Sequence, residues 1–400
     1  MTLGRTPAFW VAAATLSTLL FASSAPSPLY VVYQAQFGFS AITLTAVFAV
    51  YALALLAALL TLGSISDHLG RRPVLLGALL VEIAAMVVFA EASGVAALVT
   101  ARVLQGLATG VAMGSLSAAL LDLEPDSRPD LGALMGVVAP LSGLALGALA
   151  TGLLVDHGPA PRALVFWLLL AAFAAAWLAA LAMPETVRPD GRWRSSLRPR
   201  LGVPSAMRTA FASALPCLAA TWALGGLILS LGPSLTTSVF GYDSHLAGGL
   251  PIFMMAGVSA AMTALLRNVP ARATAQGGLA ALIAGIALAL VALVASSGAL
   301  FVAAAAICGF GFGPAFGGIF RVLATLAPED RKAEVVSTVL AVAYLAFSVP
   351  AVLAGVGVEA VGLRATAEIY GVTLIAIAGV ALVLSGRIEK RAGTEALVEA

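Results

Sequence analysis

Charge is what this sequence has least of. Only 10% of its 400 residues are Asp, Glu, Lys or Arg, against roughly 25% in a water-soluble globular domain. Such a chain cannot clothe an ordinary water-facing surface. Sulfur and imidazole are scarce as well. Cys217 and Cys308 both lie in apolar stretches, and His68, His157 and His245 are far apart in sequence. That excludes a disulfide framework and offers no clustered ligand set for a metal. Lysine occurs only at Lys332 and Lys390, and neither follows a glycine, so there is no Walker phosphate loop and no sign of an ATP-driven pump. No H-E-x-x-H pattern and no His–Ser–Asp set can be nominated, so no catalytic residue is assigned and an enzyme is not expected. The net charge of +2 gives no general argument for nucleic-acid binding. No cofactor is implied.

What is present is hydrocarbon. Hydrophobic residues make up 61% of the chain, which excludes disorder and places the protein in a bilayer. A membrane helix needs roughly 20 mostly apolar residues. Twelve such runs are read, near 9–32, 42–62, 74–92, 95–121, 131–154, 163–183, 209–231, 246–266, 275–295, 300–325, 335–357 and 365–385. The first could be misread as a cleaved signal peptide, but Pro26-Ser27-Pro28 runs on into Leu29-Tyr30-Val31-Val32-Tyr33 with no evident soluble domain behind it. The prolines read instead as a bend whose freed backbone groups are satisfied inside a bundle.

Arginine and lysine set the orientation. With the N-terminus in the cytoplasm, internal segments hold eighteen of them: Arg5, Arg71, Arg72, Arg128, Arg267, Arg272, Arg321, Arg331 and Lys332, the central-loop arginines 188, 192, 194, 198, 200 and 208, and Arg387, Lys390 and Arg391 in the tail. External segments hold two, Arg162 and Arg364, and Arg102 falls inside a span. The expected location is a bacterial cytoplasmic membrane, with both termini inside.

The polar stretch 187–208 divides the chain into halves, 1–186 and 209–386, with a cytoplasmic tail at 387–400. The halves repeat at an offset of 203: Gly106, Gly110 and Gly114 match Gly309, Gly313 and Gly317, Leu123, Pro125 and Arg128 match Leu326, Pro328 and Arg331, and Gly152 matches Gly355. Six spans per repeat is even, so both copies enter the membrane from the same side. Parallel six-helix repeats are a transporter arrangement.

The loop after the second span reads Gly63-Ser64-Ile65-Ser66-Asp67-His68-Leu69-Gly70-Arg71-Arg72-Pro73. Its charges could serve topology alone. It also resembles the G-x-x-x-D-x-x-G-R-R/K signature of the major facilitator superfamily, at Gly63, Asp67, Gly70, Arg71 and Arg72. The fourth span carries Arg102-Val103-Leu104-Gln105-Gly106, continuing to Gly110, and is similar to that family's R-x-x-Q-G-x-x-x-G. Gly143, Gly147 and Gly152 resemble its helix-five exporter motif, with Ala148 and Thr151 replacing a proline and a glycine; close packing by small residues explains the same spacing. Pro184-Glu185-Thr186 also has a familial look. The resemblance covers the whole chain and is nearest to drug:proton antiporters. It implies an all-α fold of twelve transmembrane helices in two pseudo-repeats. It implies a conformational latch at Gly63, Asp67, Gly70, Arg71 and Arg72, partnered by Asp122 and Arg128. It also implies a proton-coupling role for Arg102.

Physical reasoning converges on part of this. An arginine about seven residues into a span, roughly 10 Å deep, either faces a cavity or partner or snorkels to the interface. Glu82 sits near the middle of the third span. It is either a functional carboxyl or a neutral, hydrogen-bonded structural one, with Arg102 as its intramembrane charge partner. The first span carries no acid, unlike many antiporters of the resembled type. Tyr30, Gln34, Gln105, Trp222, Ser230, Ser234, Tyr344 and Ser348 are the candidate cavity residues. They form an apolar set with a few hydroxyls and rings, suited to a hydrophobic or amphipathic small molecule rather than a sugar. The expected function is proton-coupled efflux of such compounds, of the multidrug type and by a monomer. Nutrient uptake by the same fold is the alternative.

Overall fold

A computed structural model describes residues 2–191, 194, 197, 199 and 201–385. Arg192, Arg198 and Arg200 of the central loop, and Arg387, Lys390 and Arg391 of the tail, lie outside the described residues. Among the described residues every regular element is helical, in the order α1 (Arg5–Ser24), α2 (Pro26–Phe37), α3 (Ala41–Leu62), α4 (Ile65–Leu69), α5 (Arg71–Ala90), α6 (Val95–Asp122), α7 (Leu131–His157), α8 (Leu164–Leu181), α9 (Arg208–Ser238), α10 (His245–Leu265), α11 (Ala271–Val294), α12 (Gly298–Leu326), α13 (Lys332–Val361) and α14 (Leu363–Ser385).

Twelve spans are long and apolar enough to cross a bilayer, and they fall on the twelve runs read from the sequence. Three are longer than hydropathy alone indicates: Arg5–Phe37, Ser205–Ser238 and Glu329–Val361. The last two each begin with a 3-10 turn, Ser205–Met207 and Glu329–Arg331, that leads into the helix, and Arg5–Phe37 joins two helices end to end.

The first span is two helices. Pro26 and Pro28 have no N–H to donate, and the helix breaks at Ala25. Pro26 leaves the carbonyl of Ala22, four residues back, without its helical donor. What takes that carbonyl is the centre of the candidate site.

The chain clusters into two compact units. The first is Met1–Pro199 together with Leu229–Phe253, and the second is Arg200–Ile228 with Met254–Ala400. In the first unit α6 is central, packing on α1, α3 and α5, while α1 lies against α7 and α5 against α8. In the second, α11 packs on α12 and α14, and α13 lies beside α14.

The glycine repeat has a packing counterpart in each unit. On α6, a Cβ at Gly110 would lie 2.6 Å from the Leu55 carbonyl oxygen of α3, and one at Gly114 would lie 2.6 Å from that of Gly63. On α12, a Cβ at Gly309 would lie 2.6 Å from the Met255 carbonyl oxygen of α10. These helices meet backbone to backbone, which only small residues permit. The match is incomplete at the third position, where nothing lies within 4 Å of a Cβ at Gly317.

Candidate functional site

Arg102 is 0% exposed, among the largest fully buried side chains of the protein. The snorkelling alternative is therefore not adopted. Its guanidinium is pinned from three directions. Nε and Nη2 both donate to the Tyr30 hydroxyl, at 2.9 and 2.6 Å. Nη1 donates to the Ser23 carbonyl at 3.0 Å and to Gln105 Oε1 at 2.8 Å. The rings of Tyr30, Tyr51 and Phe89 stand 5.2–5.8 Å from its Cζ, within range of cation–π attraction.

Gln105 completes the arrangement. With its oxygen accepting from Arg102, its Nε2 donates to the Ala22 carbonyl at 2.9 Å, the carbonyl that Pro26 leaves unserved. Arg102 and Gln105 are three residues apart, so they share one helix face. Together they hold the two consecutive carbonyls at the break of the first span. The R-x-x-Q spacing is thus a clamp on a proline bend.

Glu82 on α5 is also 0% exposed. Arg102, Gln105 and Tyr51 are polar groups within its electrostatic reach. Among the described residues neither carboxyl oxygen makes a close hydrogen bond, although Gln105 lies near enough to act as a donor; the Tyr51 hydroxyl and Thr109 Oγ1 likewise lack a close partner and lie near each other. The expected direct Arg102–Glu82 ion pair is not formed: the arginine's hydrogen bonds go to neutral acceptors instead.

The residues of the loop signature largely converge. Arg71 pairs with Asp67 and, at 3.3 Å, with Asp122. It also donates to Ser66 Oγ at 2.9 Å. Thr186 Oγ1 donates to Asp122 at 2.7 Å. Glu185 accepts from the backbone N–H groups of Arg71 and Arg72, at 2.8 and 3.1 Å, and so caps α5. Gly70 has φ +98°, and a Cβ there would lie 2.6 Å from Glu185 Oε2. The motif glycine is thus required twice, for its backbone angle and for the carboxylate's approach. Arg72 joins through its backbone. Arg128 is exposed and takes no part in these hydrogen bonds.

The helix-five glycines divide their work. A Cβ at Gly143 would strike the Ser17 carbonyl and one at Gly147 the Phe21 carbonyl, both on α1. One at Gly152 would lie 2.6 Å from the His245 carbonyl at the start of α10. Beyond Gly152, Asp156 accepts from Ser244 Oγ at 2.6 Å, from the backbone N–H groups of His245 and Leu246 at 2.9 Å each, and approaches His245 Nδ1 at 2.8 Å. This cap was not anticipated from sequence. An acid at the end of one span and a serine before another carry no signal until the fold joins them.

The candidate cavity residues fall in both compact units, and each group is described within its own. Tyr30 and Gln105 belong to the charge cluster, and Gln34 is half-buried near the end of α2. Trp222 stands edge-on to Phe316, Tyr344 and Phe347, with ring centroids at 5.3, 4.9 and 6.0 Å. Its indole nitrogen is buried without a hydrogen-bond partner among the described residues. Ser348 turns its hydroxyl onto the Tyr344 carbonyl at 2.8 Å. Ser230 is buried and Ser234 half-buried, both in the segment that clusters with the first unit. Phe316 and Phe347 escaped the sequence reading because aromatic residues in apolar spans look like any other packing residue.

The sequence profile of the Major Facilitator Superfamily matches residues 11–355. No curated protein matches significantly by sequence. Among solved structures, the nucleoside transporter NupG is similar with a TM-score of 0.70 at 13% identity, covering 95% of this chain and 98% of that one. A POT family transporter in complex with 5-aminolevulinic acid gives 0.73 at 14% identity, with 96% of each chain covered. A POT family transporter in complex with a thioalcohol-conjugated peptide gives 0.75 at 14% identity, also with 96% of each chain covered.

Proposed function

The chain belongs to the Major Facilitator Superfamily, and from that premise we propose that it exports hydrophobic or amphipathic small molecules in exchange for protons. Membership makes it a multi-pass membrane protein and a secondary transporter. The observation that carries the coupled reading is the buried Arg102–Gln105 clamp facing the buried Glu82. A carboxyl in that position has room to gain and lose a proton inside the membrane. The substrate class rests on the aromatic group around Trp222 and on the scarcity of acids near it, since residues 208–326 contain only Asp243. Rings without carboxylates favour apolar and aromatic compounds over polyols. The six-helix halves, 1–186 and 209–386, are the bodies that rock around the substrate in alternating access. The arginine bias supports both termini lying in the cytoplasm, and a bacterial cytoplasmic membrane is the location this reading carries. One chain contains both halves, so a monomer suffices.

The test is dye and drug accumulation in efflux-deficient bacteria expressing the protein, with and without a proton uncoupler. Accumulation lowered by the wild type, and restored both by uncoupler and by Glu82→Gln, is the expected result. No change across a broad panel, with the protein verified in the membrane, overturns export. Ala148 and Thr151, which replace the proline and a glycine of the exporter motif, support the alternative of a nutrient permease. Growth on a sole carbon source conferred by expression would favour it.

A further inference from the structure

We propose that loss of the proton from Glu82 pulls the Arg102–Gln105 clamp away from the bend in the first span, so that this bend reports the protonation of a carboxyl on a different helix. The proposal rests on reading the Arg102–Glu82 cluster as the proton site, but its test does not depend on transport.

The argument begins with donors. A guanidinium has five N–H bonds and a carboxamide has two. Arg102 directs two at Tyr30, one at Ser23 and one at Gln105, and Gln105 directs one at Ala22. One N–H on each side chain is therefore uncommitted. Neither makes a close hydrogen bond to Glu82, although Gln105 lies near enough to act on its carboxyl as a donor and Arg102 acts on it through its charge. The titratable and charged groups facing Glu82 from its neighbours are few. α6 presents Arg102, and α3 presents Tyr51. α8, which also packs on α5, contains no titratable residue.

When Glu82 ionises, its O–H bond breaks, the electron pair stays on the carboxyl oxygen, and the proton passes to water entering beside Tyr51 and Thr109. These two hydroxyls are buried and lie close to each other, and each can bond an entering water. The new carboxylate needs donors. Hydroxyls and water can serve it, but the one cation facing it among the described residues is Arg102, with Gln105 beside it, and the attraction of a carboxylate draws these two side chains toward α5. They cannot do so freely, because the same side chains hold the Ala22 and Ser23 carbonyls. Pro26 ensures that no helical donor replaces Gln105 at Ala22. Movement toward Glu82 therefore leaves the bend loosened, and α2, which begins at Pro26, gains freedom relative to α1. Gln105 is in this scheme a positioning residue.

The experiment is amide hydrogen exchange by mass spectrometry on the purified full-length protein in nanodiscs, following the segment 21–33 as pH is raised. Rates are corrected for intrinsic exchange. In wild type, exchange in that segment is expected to accelerate roughly threefold to tenfold beyond the intrinsic change. Glu82→Gln, which keeps the side chain neutral, is expected to abolish that excess. Gln105→Leu, which removes the donor to Ala22, is expected to show fast exchange at every pH. Equal pH responses in wild type and Glu82→Gln overturn the proposal, as does a wild type with no excess response. Should Glu82→Gln fail to fold, the Gln105→Leu profile decides: slow, wild-type-like exchange overturns the clamp. A Glu82-dependent response in a protein that moves no dye keeps the switch and removes the export reading. Uncoupler-sensitive export without that response does the reverse.

Discussion

At the residue scale, Arg102 is as much a structural member as a chemical one. Its hydrogen bonds tie α6 to both sides of the break in the first span. The motif suggests that Arg102→Ala should abolish coupled transport and leave folding untouched; the geometry argues otherwise. Hydrogen bonds to charged groups contribute about 1.5–3 kcal/mol each in soluble proteins, and helix–helix hydrogen bonds in a bilayer average about 0.6 kcal/mol. With four such bonds removed and a cavity opened, Arg102→Ala is expected to lower the unfolding temperature clearly in detergent. Arg102→Lys keeps the charge but loses the planar fork that serves Tyr30 and Ser23 together, so it should fall between the two. A thermal-shift series in which Arg102→Ala equals wild type would show that the clamp contributes nothing to stability. Part of this was legible in sequence. The arginine, the glutamine three residues on, and the two prolines are all visible, and subtracting four from Pro26 identifies Ala22 as the orphaned carbonyl. That these features belong to one another is a tertiary fact, because 83 residues separate Gln105 from Ala22.

At the element scale, the glycine repeat was the most informative sequence feature, and its limits are physical. The offset of 203 predicts that equivalent glycines do equivalent work. For Gly106 and Gly110 against Gly309 and Gly313 they do, each facing the neighbouring span of its own half. Gly114 and Gly317 part company. Gly114 faces the backbone of Gly63 in the loop signature, whereas Gly317 has open space. The pattern records equivalent positions in the two halves, and packing differs wherever the neighbour does. A pair of substitutions makes this measurable. Gly110→Leu should prevent α6 from seating on α3 and abolish folded protein in the membrane, because its obstacles are backbone atoms of α3 and the Ala58 side chain. Gly317→Ala should be neutral or mildly stabilising, since alanine has the higher helix propensity by about 1 kcal/mol. Size-exclusion profiles of both variants in detergent would check the contrast. A monodisperse Gly110→Leu protein at wild-type yield would sink it.

At the scale of the whole molecule, the fold was legible because membrane insertion imposes one requirement on every span: satisfy the backbone internally and present hydrocarbon. Twelve such segments can be counted from hydropathy alone. The junctions between segments are less legible, since they depend on which ends the fold brings together. Asp156 shows the difference. It stands at the end of α7, 88 residues before Ser244, yet it does the work of an N-cap for α10. The first N–H groups of a helix have no intrahelical acceptor, and here those of His245 and Leu246 are met by a carboxylate from another helix. Gly152 lets the two elements approach closely enough for this to happen, and a Cβ at Gly249 would lie 2.5 Å from the Ala148 carbonyl on α7. A glycine of the helix-five motif and one of α10 thus set the distance, and Asp156 fastens it.

Replacing a capping acceptor by alanine costs about 0.5–2 kcal/mol in soluble helices, and here it would also release a contact that closes a long loop. Asp156→Ala is therefore expected to destabilise the start of α10 and to speed amide exchange over residues 243–248 without loosening α6. Asp156→Asn, which retains one acceptor oxygen, should recover most of the protection. If exchange there is unchanged in Asp156→Ala, the junction is held by the glycine contacts alone. If Asp156→Asn is as loose as Asp156→Ala, the charge of the carboxylate, meeting the positive end of the α10 dipole and His245, is what fastens the two helices.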